Sequence, residues 1–284
     1  MTDAPMDATA AVWKDYDSTE DPGGADVAGS LLVLPSLESP QLGNTRDILA
    51  YVPPSYGAGD RSYPVIYMHD GQNLFDEATS FSGDWAVGKS MDAASRSGIE
   101  AIVIGIPNAG PERMAEYSPF VDPAHGGGEG DTYLDFIVNT VKPRVDADLR
   151  TRPEREFTGV FGSSLGALIS VHGFFRHPEV FSFVGAMSPA FWFAGGAIFR
   201  AVREAPLNTG RVYLDVGTHE GVATVRNVRR MRTLLHSRGY DAGHALMYVE
   251  ERGADHSETA WRRRFGRAIE FLLRPVCGRP VNVR

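Results

Sequence analysis

At 284 residues and 43% hydrophobic content, the chain can bury one large core and sits near the upper end of a single α/β domain. A net charge of -8 argues against a sequence-independent grip on nucleic acid or an anionic membrane surface as the main task. The lone cysteine, Cys277, excludes an internal disulfide, and no run approaches the roughly 18 uninterrupted apolar residues of a membrane span.

In chain order, residues 1–28 are polar and acidic, contain Pro22-Gly23-Gly24 and lack an apolar signal core. The sequence therefore predicts a flexible tail and a cytoplasmic protein. Two apolar stretches, 29–34 and 47–52, suit an antiparallel pair at a sheet edge. Short apolar runs then alternate with amphipathic stretches, as in repeated βα units. Strands are expected at 65–68, 101–106, 157–161, 183–187, 212–216 and 245–249. Helices are expected at 85–97, 132–148, 165–176, 191–203, 222–238 and 258–273. This pattern predicts a mainly parallel central sheet with helices on both faces, in one domain over 29–275 followed by a C-terminal tail over 276–284. The glycine-containing segment 107–130 lacks the fixed spacing and lysine of a phosphate loop, and is expected to be a mobile surface loop bordering the site. The arginines at 226, 229, 230, 232 and 262–264 read as solvated helix faces.

The strongest chemical signal is Gly162-Ser163-Ser164-Leu165-Gly166, set between the expected strand 157–161 and the expected helix 165–176. In a G-x-S-x-G elbow the serine occupies a strained strand-to-helix turn, and the flanking glycines let the chain pass closely. This context predicts an α/β-hydrolase fold with Ser164 as nucleophile; Ser163 falls at a variable position of the motif. The hydroxyl needs a base, which in this fold follows the last strand. Of eight histidines, only His256 lies in a loop between the last expected strand and the closing helix. The acid is expected after strand 212–216, where Glu220 sits in Gly217-Thr218-His219-Glu220-Gly221. Asp215 competes for that role, as do Glu250 and Glu251. Leu165 N–H is one expected oxyanion donor. Gln72 N–H, in His69-Asp70-Gly71-Gln72-Asn73, is the other, although that stretch also reads as an ordinary polar turn. The irregular spacing of Asp70, Asp76, Glu77 and Asp84 does not suggest a metal site.

Several ordered blocks carry a wider likeness: Tyr67-Met68-His69-Asp70-Gly71-Gln72-Asn73-Leu74-Phe75-Asp76, Arg113-Met114-Ala115-Glu116-Tyr117-Ser118-Pro119, the elbow, Met187-Ser188-Pro189-Ala190-Phe191-Trp192 and His256-Ser257-Glu258-Thr259-Ala260-Trp261. Together they resemble the Putative esterase family, which embraces enterochelin-type siderophore esterases, feruloyl and acetylxylan esterases and S-formylglutathione hydrolases. The resemblance implies a nucleophile at Ser164, a base at His256 and an oxyanion loop ending at Gln72. Trp192, Arg113 and Tyr117 become candidate substrate contacts. Arg113 and Glu116 also suit a local ion pair holding the long loop, and Phe191, Trp192 and Phe193 suit either an aromatic pocket or ordinary core.

The expected activity is hydrolysis of a carboxylic ester through an acyl-enzyme, without metal or organic cofactor, on a small-molecule ester of siderophore, feruloyl or acetyl type. No nucleic-acid or membrane partner is expected, and the oligomeric state is left open. An acyltransferase would use the same residues, and a non-catalytic binding module could keep the fold alone. The intact order of Ser164, Glu220 and His256 argues against the last.

Overall fold

The structure, a computed structural model, describes residues 11–16 and 27–277. Among the described residues, nine strands form one sheet in the order β1-β2-β3-β5-β4-β6-β7-β8-β9. The edge strands β1 (Lys14–Asp15), β2 (Ser30–Ser39) and β3 (Asn44–Val52) are antiparallel neighbours, and β3 also runs antiparallel to β5. From there β5 (Ile102–Ile106), β4 (Val65–His69), β6 (Thr158–Ser163), β7 (Phe183–Met187), β8 (Arg211–Gly217) and β9 (Leu246–Glu251) are all parallel. Six parallel strands point their C-terminal ends to one edge of the sheet, so the loops that leave them meet there.

Alternation along the strands separates two cores. In β4, Val65 and Tyr67 face one layer while Ile66 and Met68 face the other. Because both faces are covered, β4 and β5 are buried at every position and read as unbroken apolar runs. The first layer includes α3 (Gly130–Phe136), α5 (Leu165–Arg176), α6 (Ile198–Glu204) and α7 (Val222–Ser237). The second is closed by α1 (Val87–Ser95) and α8 (Glu258–Cys277), which pack on one another. No helix among the described residues is long and apolar enough to cross a membrane.

Several segments differ from the sequence expectations. Lys14–Asp15 lies within the expected tail yet adds a strand to the sheet, because aromatic residues on either side anchor it. Trp13 Nε1 donates to Asp148 Oδ2 (3.0 Å), and Tyr16 OH donates to Asp76 Oδ2 (3.1 Å). Residues 1–10, 17–26 and 278–284, which make up most of the two expected tails, lie outside the described residues. The expected helix 132–148 contains a π-helical stretch, Ile137–Val141, leading into α4 (Lys142–Asp148). Pro143 offers no N–H and its ring crowds the carbonyl of Asn139, within that stretch.

Finally, segment 107–130 is not a surface loop throughout. It contains α2 (Arg113–Glu116), and Glu116, Tyr117 and Ser118 are buried. The cause is ionic: Arg46 of β3 grips Glu116 through both terminal nitrogens, at 3.0 and 2.7 Å, in a buried pair. A fork-on-carboxylate pair of this kind is directional as well as attractive, and it draws the chain inward.

Candidate active site

Ser164 leaves β6 with φ 54° and ψ -119°, a left-handed conformation that costs a non-glycine residue on the order of 1–3 kcal/mol. Three hydrogen bonds pin it there: Ser164 N–H to Met187 O (3.0 Å), Leu168 N–H to Ser164 O (3.1 Å) and Ala190 N–H to Ser164 O (3.0 Å). The two motif glycines make the turn possible. A Cβ on Gly162 would lie 2.6 Å from the backbone carbon of Gly166, and a Cβ on Gly166 would lie 3.2 Å from the side-chain Cβ of His69. Gly162 thus lets the elbow close, while Gly166 lets the His69-Asp70 loop settle against it. Gly162→Ala should cost roughly 1–3 kcal/mol, because the clash is with backbone that cannot rotate away. A melting temperature equal to that of the parent chain would contradict this account.

The loops after β8 and β9 bring the expected acid and base together. Thr218 N–H donates to Glu251 O (2.9 Å), His219 N–H to Ala254 O (2.9 Å) and Gly253 N–H to Thr218 Oγ1 (2.8 Å). Across this seam, His256 Nδ1 lies 2.8 Å from Glu220 Oε2. The Glu220 side chain is fully buried, whereas His256 is 43% exposed. Glu220 Oε1 accepts Gly217 N–H and Ser188 Oγ–H, each at 2.6 Å. The Trp261 ring meets the imidazole edge-on, with centroids 5.0 Å apart.

The competing acids are engaged elsewhere. Asp215 is buried and accepts from Arg264 Nε (2.9 Å), Tyr213 OH (3.0 Å) and Ser188 N–H (3.0 Å). Burial pushes its carboxyl up to about 6, against the opposing pull of Arg264 and the other donors. Glu250 pairs with Arg229, and Glu251 with Arg263 and Arg264.

Of the two expected oxyanion donors, Leu165 opens α5, where the first N–H groups have no partner within the helix and the helix dipole favours negative charge. Gln72 lies in a short 3-10 turn, Gly71–Asn73, after β4, and its Oε1 accepts Asn108 N–H (3.2 Å). The turn is reached through Asp70 at φ 55°, ψ 47°. Arg113 holds the Asp70 carboxylate in a bidentate clamp (2.7 and 2.8 Å), Asn108 Nδ2 donates to it (2.6 Å), and Asp70 N–H donates to Tyr117 OH (2.9 Å).

One expected substrate contact and one expected ion pair are thereby corrected. Tyr117 is fully buried beneath Asp70 and has no surface to offer a ligand. Arg113 does not pair with Glu116 but directs its fork at Asp70, bracing the turn that carries Gln72. Trp192 remains available, at 45% exposure, whereas Phe191 and Phe193 are core.

The sequence pattern sets Arg264 among solvated arginines, yet it is buried. Helical phase held the signal: Trp261, Phe265, Ala268 and Leu272 mark the buried face of α8, and Arg264 lies on it.

His69 lies behind the same loop with Nδ1 2.9 Å from Tyr133 OH and a buried, unpartnered Nε2. Burial, reinforced by Arg113, lowers its pKa to about 3 despite the opposing pull of Asp70. The unfolded chain protonates near pH 6.5 while folded His69 does not, so its contribution is complete above that pH and is lost as pH falls toward 3. Between pH 7 and about 4.5 this residue should remove roughly 2–3 kcal/mol of stability. In denaturant titrations at the two pH values, His69→Gln should be less acid-sensitive by that amount. Equal slopes in both proteins would refute the assignment.

The sequence model of the family described as Putative esterase matches residues 39–272. The chain belongs to that family. It is 27% identical over 253 residues to the uncharacterized protein YbbA of Bacillus subtilis (strain 168), covering 84% of this chain and 96% of YbbA. It is 29% identical over 164 residues to a siderophore enterobactin esterase of Emericella nidulans, covering 51% of this chain and 52% of that protein, so it matches about half the length of this relative. Among solved structures, an IroE-like serine hydrolase from Shewanella oneidensis superposes with a TM-score of 0.67 at 20% identity, over 86% of this chain and 79% of that one. The enterobactin esterase FES from Shigella flexneri, in the presence of enterobactin, gives 0.70 at 16% identity, over 88% and 60%. The protein is an ester hydrolase with the α/β-hydrolase fold.

Proposed function

We propose that the protein hydrolyses a carboxylic ester through an acyl-enzyme formed on Ser164. The observation that carries this reading is the 2.8 Å contact between His256 and the fully buried Glu220, at the sheet edge where Ser164 occupies its left-handed elbow. His256 takes the Ser164 proton as the oxygen attacks the ester carbonyl, then returns it to the departing alcohol. Leu165 N–H and Gln72 N–H receive the oxyanion. Water, deprotonated by His256, then attacks the acyl-enzyme, and His256 returns that proton to the Ser164 oxygen as the acid leaves. Glu220 orients the imidazole and stabilises its charged form. The sequence of steps balances without metal or organic cofactor.

The substrate is proposed to be a small-molecule ester of siderophore, feruloyl or acetyl type. The siderophore option is supported by the names of the fungal relative and the Shigella structure. Phe81, Val121 and Trp192 are exposed on the segments that follow β4, β5 and β7, and Val222 is exposed at the start of α7 after β8, so they supply apolar surface at the C-terminal edge of the sheet. Such a rim suits a bulky, partly apolar acyl or alcohol group better than acetate.

Turnover of a p-nitrophenyl ester tests the reaction class. A screen of siderophore trilactones, feruloylated sugars, acetylated sugars and S-formylglutathione tests the substrate. No turnover of any of these by the folded protein would overturn the reading.

A further inference from the structure

Ser188 follows β7 at a φ of 45° and is buried directly behind Glu220. Its backbone is held in that left-handed conformation by N–H donation to Asp215 Oδ1. Its hydroxyl has three neighbours: Trp261 Nε1 at 2.9 Å, Arg264 Nη2 at 3.0 Å and Glu220 Oε1 at 2.6 Å. An indole N–H and a guanidinium N–H only donate, while a hydroxyl has two acceptor sites and one proton. Trp261 and Arg264 therefore fill both acceptor sites, and the single proton is left to Glu220 Oε1.

That direction propagates. With Ser188 and Gly217 N–H both donating to Oε1, Oε2 is the oxygen left for the imidazole. A carboxylate oxygen accepts, so His256 carries its proton on Nδ1 and keeps Nε2 as the free acceptor that a general base needs. Arg264 cannot swing away to relax the arrangement, because all three guanidinium nitrogens are committed: Nε to Asp215, Nη1 to Glu251 and Nη2 to Ser188.

We infer that Ser188, its hydroxyl aimed by Trp261 and Arg264, is a positioning residue that holds the Glu220 carboxylate where it keeps His256 in the Nδ1–H tautomer. The catalytic consequence rests on the ester-hydrolysis reading above; the tautomer itself does not depend on any substrate. Glycine would sit at this φ without strain but would lack the hydroxyl.

The test is Ser188→Gly, which deletes the hydroxyl while removing the left-handed strain, so loss of the fold does not mask the result. The first readout is the nitrogen NMR spectrum of labelled histidine, with the His256 signals assigned by their disappearance in His256→Gln. The parent chain should show the neutral ring protonated at Nδ1, and Ser188→Gly a mixture of the two tautomers. The second readout is kinetic: kcat should fall at least about tenfold with KM within about twofold, the pattern of a lost transition-state interaction. A Ser188→Gly protein with an unmixed Nδ1–H ring and parental kcat overturns the proposal. Should the parent hydrolyse no ester, the esterase reading fails, while the tautomer spectra still decide the role of Ser188.

Discussion

Ser164→Ala is expected to lower ester turnover by roughly four to six orders of magnitude while leaving the fold intact. The substitution removes only the attacking oxygen. Alanine keeps the Cβ, so the cost of φ 54° is unchanged, and the three backbone hydrogen bonds that pin the turn do not involve the side chain. Because Ser164 is half-buried at the sheet edge, the space opened is small and in reach of water. The melting temperature should therefore stay close to that of the parent chain. Ser163→Ala is the matched control: Ser163 ends β6, buried one residue before the elbow, and its loss should leave turnover near the parental rate. Comparable ester turnover in the parent and Ser164→Ala proteins would sink the acyl-enzyme mechanism.

The elbow was legible in the sequence because its requirements are local. A strand, a serine between two glycines and a helix follow one another within 19 residues, Thr158 to Arg176, and each leaves its own pattern. His256 and Glu220 were legible for a related reason: in a parallel sheet every strand's C-terminal end lies at one edge, so position after a strand predicts position in space. The supporting groups did not show themselves in this way. Arg113 lies 43 residues from Asp70, and Arg264 lies 49 from Asp215, and neither pairing follows from composition or periodicity alone. Arg46 and Glu116, 70 residues apart, turned an expected surface loop into a packed segment for the same reason. Charged residues look solvated in a sequence unless their phase on a helix or strand is followed, as with Arg264, or a distant partner is known.

The expected helix 191–203 illustrates another limit. The alternation of apolar and amphipathic stretches predicts a continuous helix there, but Ala194 and Gly195 adopt φ values of 49° and 64° and break it. The break leaves Trp192 exposed beside His125, with ring centroids 5.5 Å apart, instead of burying it with Phe191 and Phe193. Backbone reversals of this kind depend on what the loop must pack against, here the 122–126 turn, whose Asp122 accepts Ala194 N–H.

Glu220→Gln is expected to lower kcat by about 10²- to 10⁴-fold with a much smaller change in KM. The amide is nearly the same size, and its oxygen can still accept from Ser188 and Gly217. Its NH2 group would then face His256 Nδ1, where the carboxylate oxygen had accepted. Two donors cannot share that contact, so the neutral imidazole is driven to accept at Nδ1 and carry its proton on Nε2. That tautomer cannot take a proton from Ser164, and the lost carboxylate no longer stabilises the imidazolium. Asp215→Asn separates this chemistry from structure. It removes the buried partner of Arg264, and breaking such a pair costs about 3–5 kcal/mol. The lower end is expected, since burial already disfavours the ionised Asp215 and Glu251 still faces Arg264. Asp215→Asn should therefore lower the melting temperature more clearly than kcat, and Glu220→Gln the reverse. A fully active Glu220→Gln beside a folded but inactive Asp215→Asn would transfer the acid's role to Asp215. The elbow at Ser164 and the base at His256 would be unaffected by that transfer, because neither is positioned by a bond to Asp215.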